Sequence, residues 1–255
     1  MKVALCLFGL VGGTIGKDGK GGDVDYTIAY EHYKKHILEK NDVDVFIHSW
    51  SVNYEEELKV LYAPKKAIFE KQIRFKVNKK FRDRSNWFEI KKGFLRLFKK
   101  DKQKIYAKRA YSRWYSNKKA INLKKEYEIE NNFQYDYVMC SRLDLAFFTD
   151  VVFSKFDTQY FYASHWNDVP KKENKYKGNR KNHYVGKGFL DLWFFSNSNM
   201  MDVFSTLYDN IEKYDISCHL AARQHIGRFT DKIKYVFYRW EDHEIVRRKF
   251  YASKE

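Results

Sequence analysis

One continuous apolar run near the start of the chain constrains the fold most. Residues 3–11 read VALCLFGLV, and seven of the twelve glycines lie between positions 9 and 22. An apolar run that does not alternate with polar residues is typical of a strand buried on both faces of a parallel sheet. We therefore predict a central strand followed by a glycine-rich loop.

The elements that follow this strand indicate an α/β fold. Tyr26, Tyr30, Tyr33 and Ile37 recur at helical spacing within residues 23–40, where Asp23 or Asp25 can cap the helix. Further strands are predicted at 43–50 and 66–69. Because β-α-β crossovers build parallel sheets, we expect a Rossmann-type, mostly parallel sheet flanked by helices in a single domain, 1–255.

The rest of the chain continues this mixture of strands and helices. The pattern predicts helices at 102–131, 199–212 and 217–228, and strands at 159–163, 190–196 and 234–238. It also predicts a central strand within 135–148 that ends at residues 142–144. Hydrophobic residues make up 44% of the chain, which is the composition of a globular protein. Cys6, Cys140 and Cys218 are far apart in sequence, so we predict buried thiols in a reducing cytoplasm.

The positive charge of the chain is concentrated in one segment. The net charge is +16, yet residues 65–125 hold 23 Lys and Arg against 4 Asp and Glu. We interpret residues 65–131 as a basic, helix-rich insertion within the domain. Its aromatic and basic side chains, Trp87, Phe94 and Trp114 among them, suit a solvated helical face, an anionic membrane surface or a nucleic-acid backbone.

The glycine-rich loop can admit a phosphate or nucleotide close to the backbone, or it can be a plain flexible loop. A P-loop would need Gly and Ser or Thr where Val11 and Asp18 stand, and no GxGxxG frame fits residues 9–22. The sequence therefore argues against an ATPase and against an NAD-dependent dehydrogenase.

Charged side chains at predicted strand ends are the main candidates for a site. Arg142 and Asp144 end the strand within 135–148, at the edge where open α/β sheets bind ligands. They form either a structural ion pair or a site in which Asp144 holds a divalent cation and Arg142 faces a diphosphate. Asp191, between apolar neighbours, binds sugar hydroxyls, acts as a base, or only accepts backbone N–H groups. His219 and His225 carry no assigned role.

Four segments resemble the bacterial glycosyltransferases of capsule and lipopolysaccharide gene clusters, which have a GT-A-type nucleotide-sugar-binding fold. They are MKVALCLFGLVGG at the start, DVDVFIHSW at 42–50, YDYVMCSRLDLAFF at 135–148 and GFLDLWFFSN at 188–197. In that family a D-x-D-type motif ends a central strand and holds Mn²⁺ or Mg²⁺ against the donor diphosphate. Here Arg142 occupies the first position of the motif, and a guanidinium can itself neutralise part of a diphosphate.

The resemblance implies a set of site residues. The implied donor-binding residues are Phe8, Gly9, Gly12, Gly13, His48, Arg142 and Asp144. It also implies a divalent cation, Mn²⁺ or Mg²⁺, held by Asp144 and by a late histidine, His243, although a lone surface histidine is the commoner outcome. For His48 the other interpretation is core packing. Asp191 is the implied catalytic residue.

From these observations we expect a transferase that moves a sugar from a nucleotide-sugar donor to a surface glycan or lipid-linked glycan. We also expect a cytoplasmic location, peripheral on the inner face of the membrane, because the acceptor is lipid-linked and residues 65–125 suit anionic lipid. The alternative is a non-catalytic nucleic-acid-binding protein that uses residues 65–125, and we favour the transferase.

Overall fold

A computed structural model describes residues 1–11, 25–77, 96–165 and 188–246. Within 96–165, side chains are described for residues 105–164. The helices are α1 Tyr26–His36, α2 Glu55–Tyr62, α3 Arg96–Asn131, α4 Ser198–Ser205 and α5 Cys218–Ile226. The strands are β1 Lys2–Gly9, β2 Asp42–Ser49, β3 Lys66–Phe69, β4 Tyr137–Arg142, β5 Leu145–Phe147, β6 Phe161–His165, β7 Phe189–Ser196, β8 Ile233–Tyr235 and β9 His243–Ile245.

Seven strands form one mixed sheet in the order β3-β2-β1-β4-β7-β6-β8. The first four strands in this order run parallel, β7 runs antiparallel to both of its neighbours, and β8 is parallel to β6. The predicted α/β class and the mostly parallel sheet are thus confirmed, and the arrangement is compatible with a Rossmann-like fold.

Helices cover both faces of the sheet because β1 is apolar on both sides. Val3, Leu5 and Leu7 pack on the face that carries α1 and α2. Ala4, Cys6 and Phe8 pack on the opposite face, where α3, α4 and α5 lie. This burial on two sides explains why the run does not alternate.

The described C-terminal part of the basic segment packs against the central sheet. From Ile105 onward α3 lies across β1, β2 and β3 and packs its small and aromatic side chains into the core. Trp114 is 1% exposed, so it cannot lie on lipid or stack on a nucleobase, as the sequence had suggested. Trp87 and Phe94 lie outside the described residues.

Strand β4 ends at Arg142, where the predicted central strand was expected to end, between residues 142 and 144. After Arg142 the chain turns, and β5 leaves the large sheet to pair antiparallel with β9. The backbone N–H of Val246 extends this ribbon by donating to the carbonyl of Asp144 at 2.8 Å. Residues 135–148 are therefore two strands separated by the turn that carries Asp144.

Cys6 and Cys140 are buried free thiols on adjacent strands, and Cys218 is a half-buried free thiol. In the described part of the chain, the helices lack the combination of length and apolar character that a membrane span needs.

Candidate functional site at the carboxyl edge of the sheet

The carboxyl ends of β1, β2, β3 and β4 meet at one edge of the sheet because these strands are parallel. The chain builds outward from β1 to β2 and β3, and then returns to the other side of β1 with β4. Such a reversal of strand order opens a crevice beyond the carboxyl ends of the two flanking strands, where open α/β sheets bind ligands. The candidate site is therefore the edge formed by the ends of β1 and β4.

Three sequence-predicted residues form a row across this edge. Phe8 is the register partner of His48 on β2 and of Arg142 on β4. Register partners on parallel strands point to the same face, here the face covered by α3. The structure thus brings Phe8, His48 and Arg142 together.

A buried chain of hydrogen bonds fixes the end of β1. The Gly9 N–H donates to the Ser116 hydroxyl of α3 at 3.0 Å, and Ser116 Oγ lies 2.7 Å from His48 Nδ1. His48 Nε2 lies 2.9 Å from Glu70 Oε1. Because a carboxylate only accepts, Nε2 carries the proton and Nδ1 accepts from Ser116. Gly9 has a φ of 101°, a conformation in which side chains are strained.

The ionisation of this chain follows from its burial. Burial lowers the pKa of His48, which is fully inaccessible, so the imidazole is neutral. Burial raises the pKa of Glu70, but hydrogen bonds from His48 and Tyr115 outweigh it and bring the pKa below its ordinary value. With Ser116 and His48 both fully buried, this Ser-His-Glu chain positions Gly9 and offers no accessible nucleophile.

Aromatic side chains extend the edge beyond β2. Trp50 stacks on Tyr115 of α3 with ring centroids 5.5 Å apart. Phe75 lies edge-on to Tyr115, and so does Tyr208, with centroids at 5.7 and 5.4 Å. This cluster borders the ends of β2 and β3, and in it Trp50 is buried whereas Tyr115, Phe75 and Tyr208 are half-buried.

Arg142 and Asp144 form a bidentate ion pair at the end of β4. Arg142 Nε and Nη2 each donate to one oxygen of Asp144 at 2.6 Å. Burial alone would lower the pKa of Arg142, but the Asp144 carboxylate outweighs burial and raises this pKa above its ordinary value, so the guanidinium remains charged. Tyr33 of α1 fixes the turn by donating to the carbonyl of Arg142 at 2.6 Å. The Arg142 side chain is 25% exposed and that of Asp144 is 10% exposed.

Asp191 lies beside this pair near the start of β7. Its Oδ2 accepts from Arg113 Nε of α3 at 3.1 Å, and Arg113 also donates to its backbone carbonyl. His219 Nδ1 of α5 lies 3.2 Å from Asp191 Oδ1 and 2.8 Å from the carbonyl of Phe189. These two acceptors place the proton on Nδ1, and the longer approach of the Asp191 N–H, at 3.3 Å, does not change this assignment.

His243 lies apart from Asp144. It is fully buried opposite Phe147, three residues past Asp144 along the ribbon, and the Trp193 indole N–H approaches its Nε2 at 3.4 Å. Burial and the nearby Arg239 lower the pKa of His243 to about 3. Within the described residues its Nδ1 has no hydrogen-bond partner. The expected surface histidine is thus a core histidine.

The structure also brings in residues that the sequence did not single out. Arg113 and Ser116 come from α3, and His219, which carried no assigned role, contacts Asp191. The sequence did not distinguish Arg113 and Ser116 from the other polar residues of a basic helix, where serine and arginine are common. Gly12 and Gly13 lie outside the described residues. Among the described residues, no group of three His, Cys, Asp or Glu side chains is arranged to hold a metal ion.

No protein-family model matches the chain. A comparison with curated proteins finds no significant match.

Proposed function

We propose that the protein is a GT-A-type glycosyltransferase, which moves a sugar from a nucleotide-sugar donor to a surface-glycan acceptor of a capsule or lipopolysaccharide. The observation that carries this proposal is the group of two arginines and two aspartates at the β1/β4 edge. Glycosyl transfer needs positive charge on a departing diphosphate and carboxylates toward the sugar or acceptor. The edge brings both kinds of group together.

The roles follow from how each side chain is held. Arg142 faces the diphosphate because it is partly exposed and permanently charged. Asp191 binds sugar or acceptor hydroxyls, since its carboxylate is held by Arg113 and His219 and is still 17% exposed. The half-buried rings of Tyr115, Phe75 and Tyr208 suit a nucleobase beside the donor phosphates.

A divalent cation was expected at Asp144 and His243. The described residues do not fit this arrangement, because Arg142 occupies both oxygens of Asp144 and His243 is buried further along the ribbon. The proposed roles of Arg142 and Asp191 therefore involve no metal ion.

Exposed residues within 105–109 of α3 support a peripheral membrane position. Ile105 and Tyr106 are 50% and 56% exposed and lie next to the exposed Lys108 and Arg109. Apolar and basic side chains together suit a surface of anionic lipid. Co-sedimentation with phosphatidylglycerol vesicles, but not with phosphatidylcholine vesicles, is the expected result.

Thermal stability in the presence of nucleotides tests the function. A panel of UDP, GDP, CDP and CMP, with their common sugar conjugates, should show stabilisation by one nucleotide class, since a ligand at 100 times its Kd contributes about 2.7 kcal/mol. Release of nucleotide from the selected sugar conjugate should then fall in Asp191→Asn. The matched control is Asp136→Asn, whose carboxylate accepts from the backbone N–H of Lys2 at the amino end of β1, at the opposite edge of the sheet.

No stabilisation by any nucleotide, together with tight and salt-sensitive binding of an oligonucleotide, would contradict the transferase and favour the nucleic-acid alternative. Full activity in Asp191→Asn would contradict the role of this carboxylate.

A further inference from the structure

The carboxylate of Asp144 is fully engaged by Arg142. Each oxygen accepts one charge-assisted hydrogen bond of 2.6 Å, and the pair has the fork geometry in which such bonds are strongest. A cation that bound Asp144 would have to break both bonds and face the guanidinium. Asp144 is thus built to orient Arg142.

This orientation leaves one side of Arg142 available. Nε and Nη2 face Asp144, whereas Nη1 has no hydrogen-bond partner among the described residues. The side chain is 25% exposed, so part of it is accessible at the ends of β1 and β4. A planar guanidinium held in this way matches the oxygens of a phosphate group.

Arg113 places a second guanidinium at the same edge. Its centre lies 4.3 Å from the ring of Phe8 and 4.5 Å from the ring of Trp114, and its Nε is bound to Asp191. Phe8 is the register partner of Arg142, so the two arginines approach neighbouring positions of the row. The Arg113 side chain is only 8% exposed, and its buried Nη1 has no partner among the described residues.

An unpaired buried donor is costly, and a ligand oxygen is one way to satisfy it. We propose that Arg142, oriented by Asp144, and Arg113, sandwiched by Phe8 and Trp114, bind the diphosphate of the donor without a divalent cation. This inference rests on the proposed function for the identity of the donor. The guanidinium arrangement itself predicts only a diphosphate ligand.

The effect of Asp144→Asn distinguishes the two ways of holding a diphosphate. If a cation bridged Asp144 and the ligand, this change would abolish binding. If Arg142 holds the ligand, Asp144→Asn has two opposing effects on binding. It removes a negative charge that repels the diphosphate, which favours binding, and it loosens the orientation of Arg142, which weakens binding. We then expect Kd within about tenfold of the unaltered protein, whereas Arg142→Gln weakens binding by about tenfold or more because a charge-assisted contact is lost.

Calorimetric titration measures these effects with UDP, GDP, CDP and inorganic pyrophosphate, each with EDTA and with MnCl₂. We expect Kd for the preferred ligand to be the same with EDTA and with Mn²⁺. The charge control is Lys66→Gln, because Lys66 is also 25% exposed but begins β3 at the opposite edge of the sheet. Arg142→Lys keeps the charge without the fork, and circular dichroism confirms that each variant is folded.

The outcomes separate this inference from the proposed function. Nucleotide binding that requires Mn²⁺ and is lost in Asp144→Asn overturns the inference and leaves the transferase standing. Cation-independent binding of pyrophosphate that no nucleoside diphosphate exceeds supports the guanidinium site and contradicts a nucleotide donor. Failure of the folded protein to bind any of these ligands overturns the inference.

Discussion

Replacing Lys124 by methionine should destabilise the protein severely. Lys124 is fully buried between α3 and α4, and its Nζ donates to Glu128 Oε2 at 2.9 Å, Ser198 Oγ at 2.6 Å and Asp202 Oδ1 at 2.7 Å. Methionine fills a similar volume but donates no hydrogen bond. The substitution therefore removes the buried cation from both carboxylates.

The magnitude follows from the burial of those carboxylates. The Glu128 side chain is 7% exposed and that of Asp202 is 20% exposed, so water cannot fully replace the ammonium. Removing one partner of a buried ion pair costs about 3–5 kcal/mol. With a urea dependence of about 3 kcal/mol per molar, the unfolding midpoint should fall by about 1–2 M.

Lys125→Met provides the matched control. The Nζ of Lys125 lies 3.6 Å from the other oxygen of Asp202, but its side chain is 54% exposed. Screening by solvent limits such a pair to less than about 1 kcal/mol. Equal urea midpoints for Lys124→Met and Lys125→Met would refute the reasoning. Adding Glu128→Gln and Asp202→Asn to Lys124→Met should recover part of the loss, because the unpaired charges are then removed.

Three further predictions concern the histidines and the end of β1. His243 is neutral when folded but binds a proton below pH 6.5 when unfolded, so it makes stability fall as pH drops from about 6.5 toward 3. Between pH 7.5 and pH 5, urea unfolding of His243→Phe should lose about 2 kcal/mol less than the unaltered protein, and an equal loss would contradict the assignment. Ser116→Ala leaves the Gly9 N–H unpaired and should cost about 1–3 kcal/mol in the same assay, whereas no loss would mean that the hydrogen-bond chain is dispensable. His219→Ala should lower sugar transfer by about 100-fold through misplacement of Asp191, while His219→Asn, which can still donate to Phe189, should retain more activity; equal rates would rule out the positioning role.

The strands of the sheet were predictable because buried strands appear in the sequence as short, continuous apolar runs. The predicted strand at 66–69 coincides with β3, and the apolar runs of β1 and β7 were found to within two residues. The short helix α2 and strand β9 were not predicted. In α2 only Leu58 and Tyr62 are buried, which is too few to set a period. The helix predicted at 199–212 is interrupted after Ser205 by turns and a 3₁₀ segment.

The site was predictable only where chemistry coincided with a strand end. Phe8, His48 and Arg142 follow directly from the parallel register, since each stands at or near the last residue of its strand. The bidentate bond between Arg142 and Asp144 could be named as an ion pair, but its geometry depends on the turn between β4 and β5. That turn forms because β5 pairs with β9, a partner about one hundred residues away in sequence.

The location of α3 was hidden by the composition of its buried stripe. Buried residues recur at helical spacing as Ala107, Ala110, Trp114, Asn117, Ile121, Lys124 and Glu128. Three of these seven side chains are polar, so a hydropathy pattern indicates a solvated helix and the lysine count reinforces that interpretation. Lys124 and Glu128 pair within the helix, but the other partners are distant in sequence, Cys140 for Asn117 and the α4 residues for Lys124. The same helix that ties Lys124 to α4 carries Ser116 to Gly9 and Arg113 to Asp191. The packing of α3 on the sheet therefore assembles the candidate site. A substitution that loosens the buried residues of α3 should disturb the β1/β4 edge even where the substituted residue does not contact that edge.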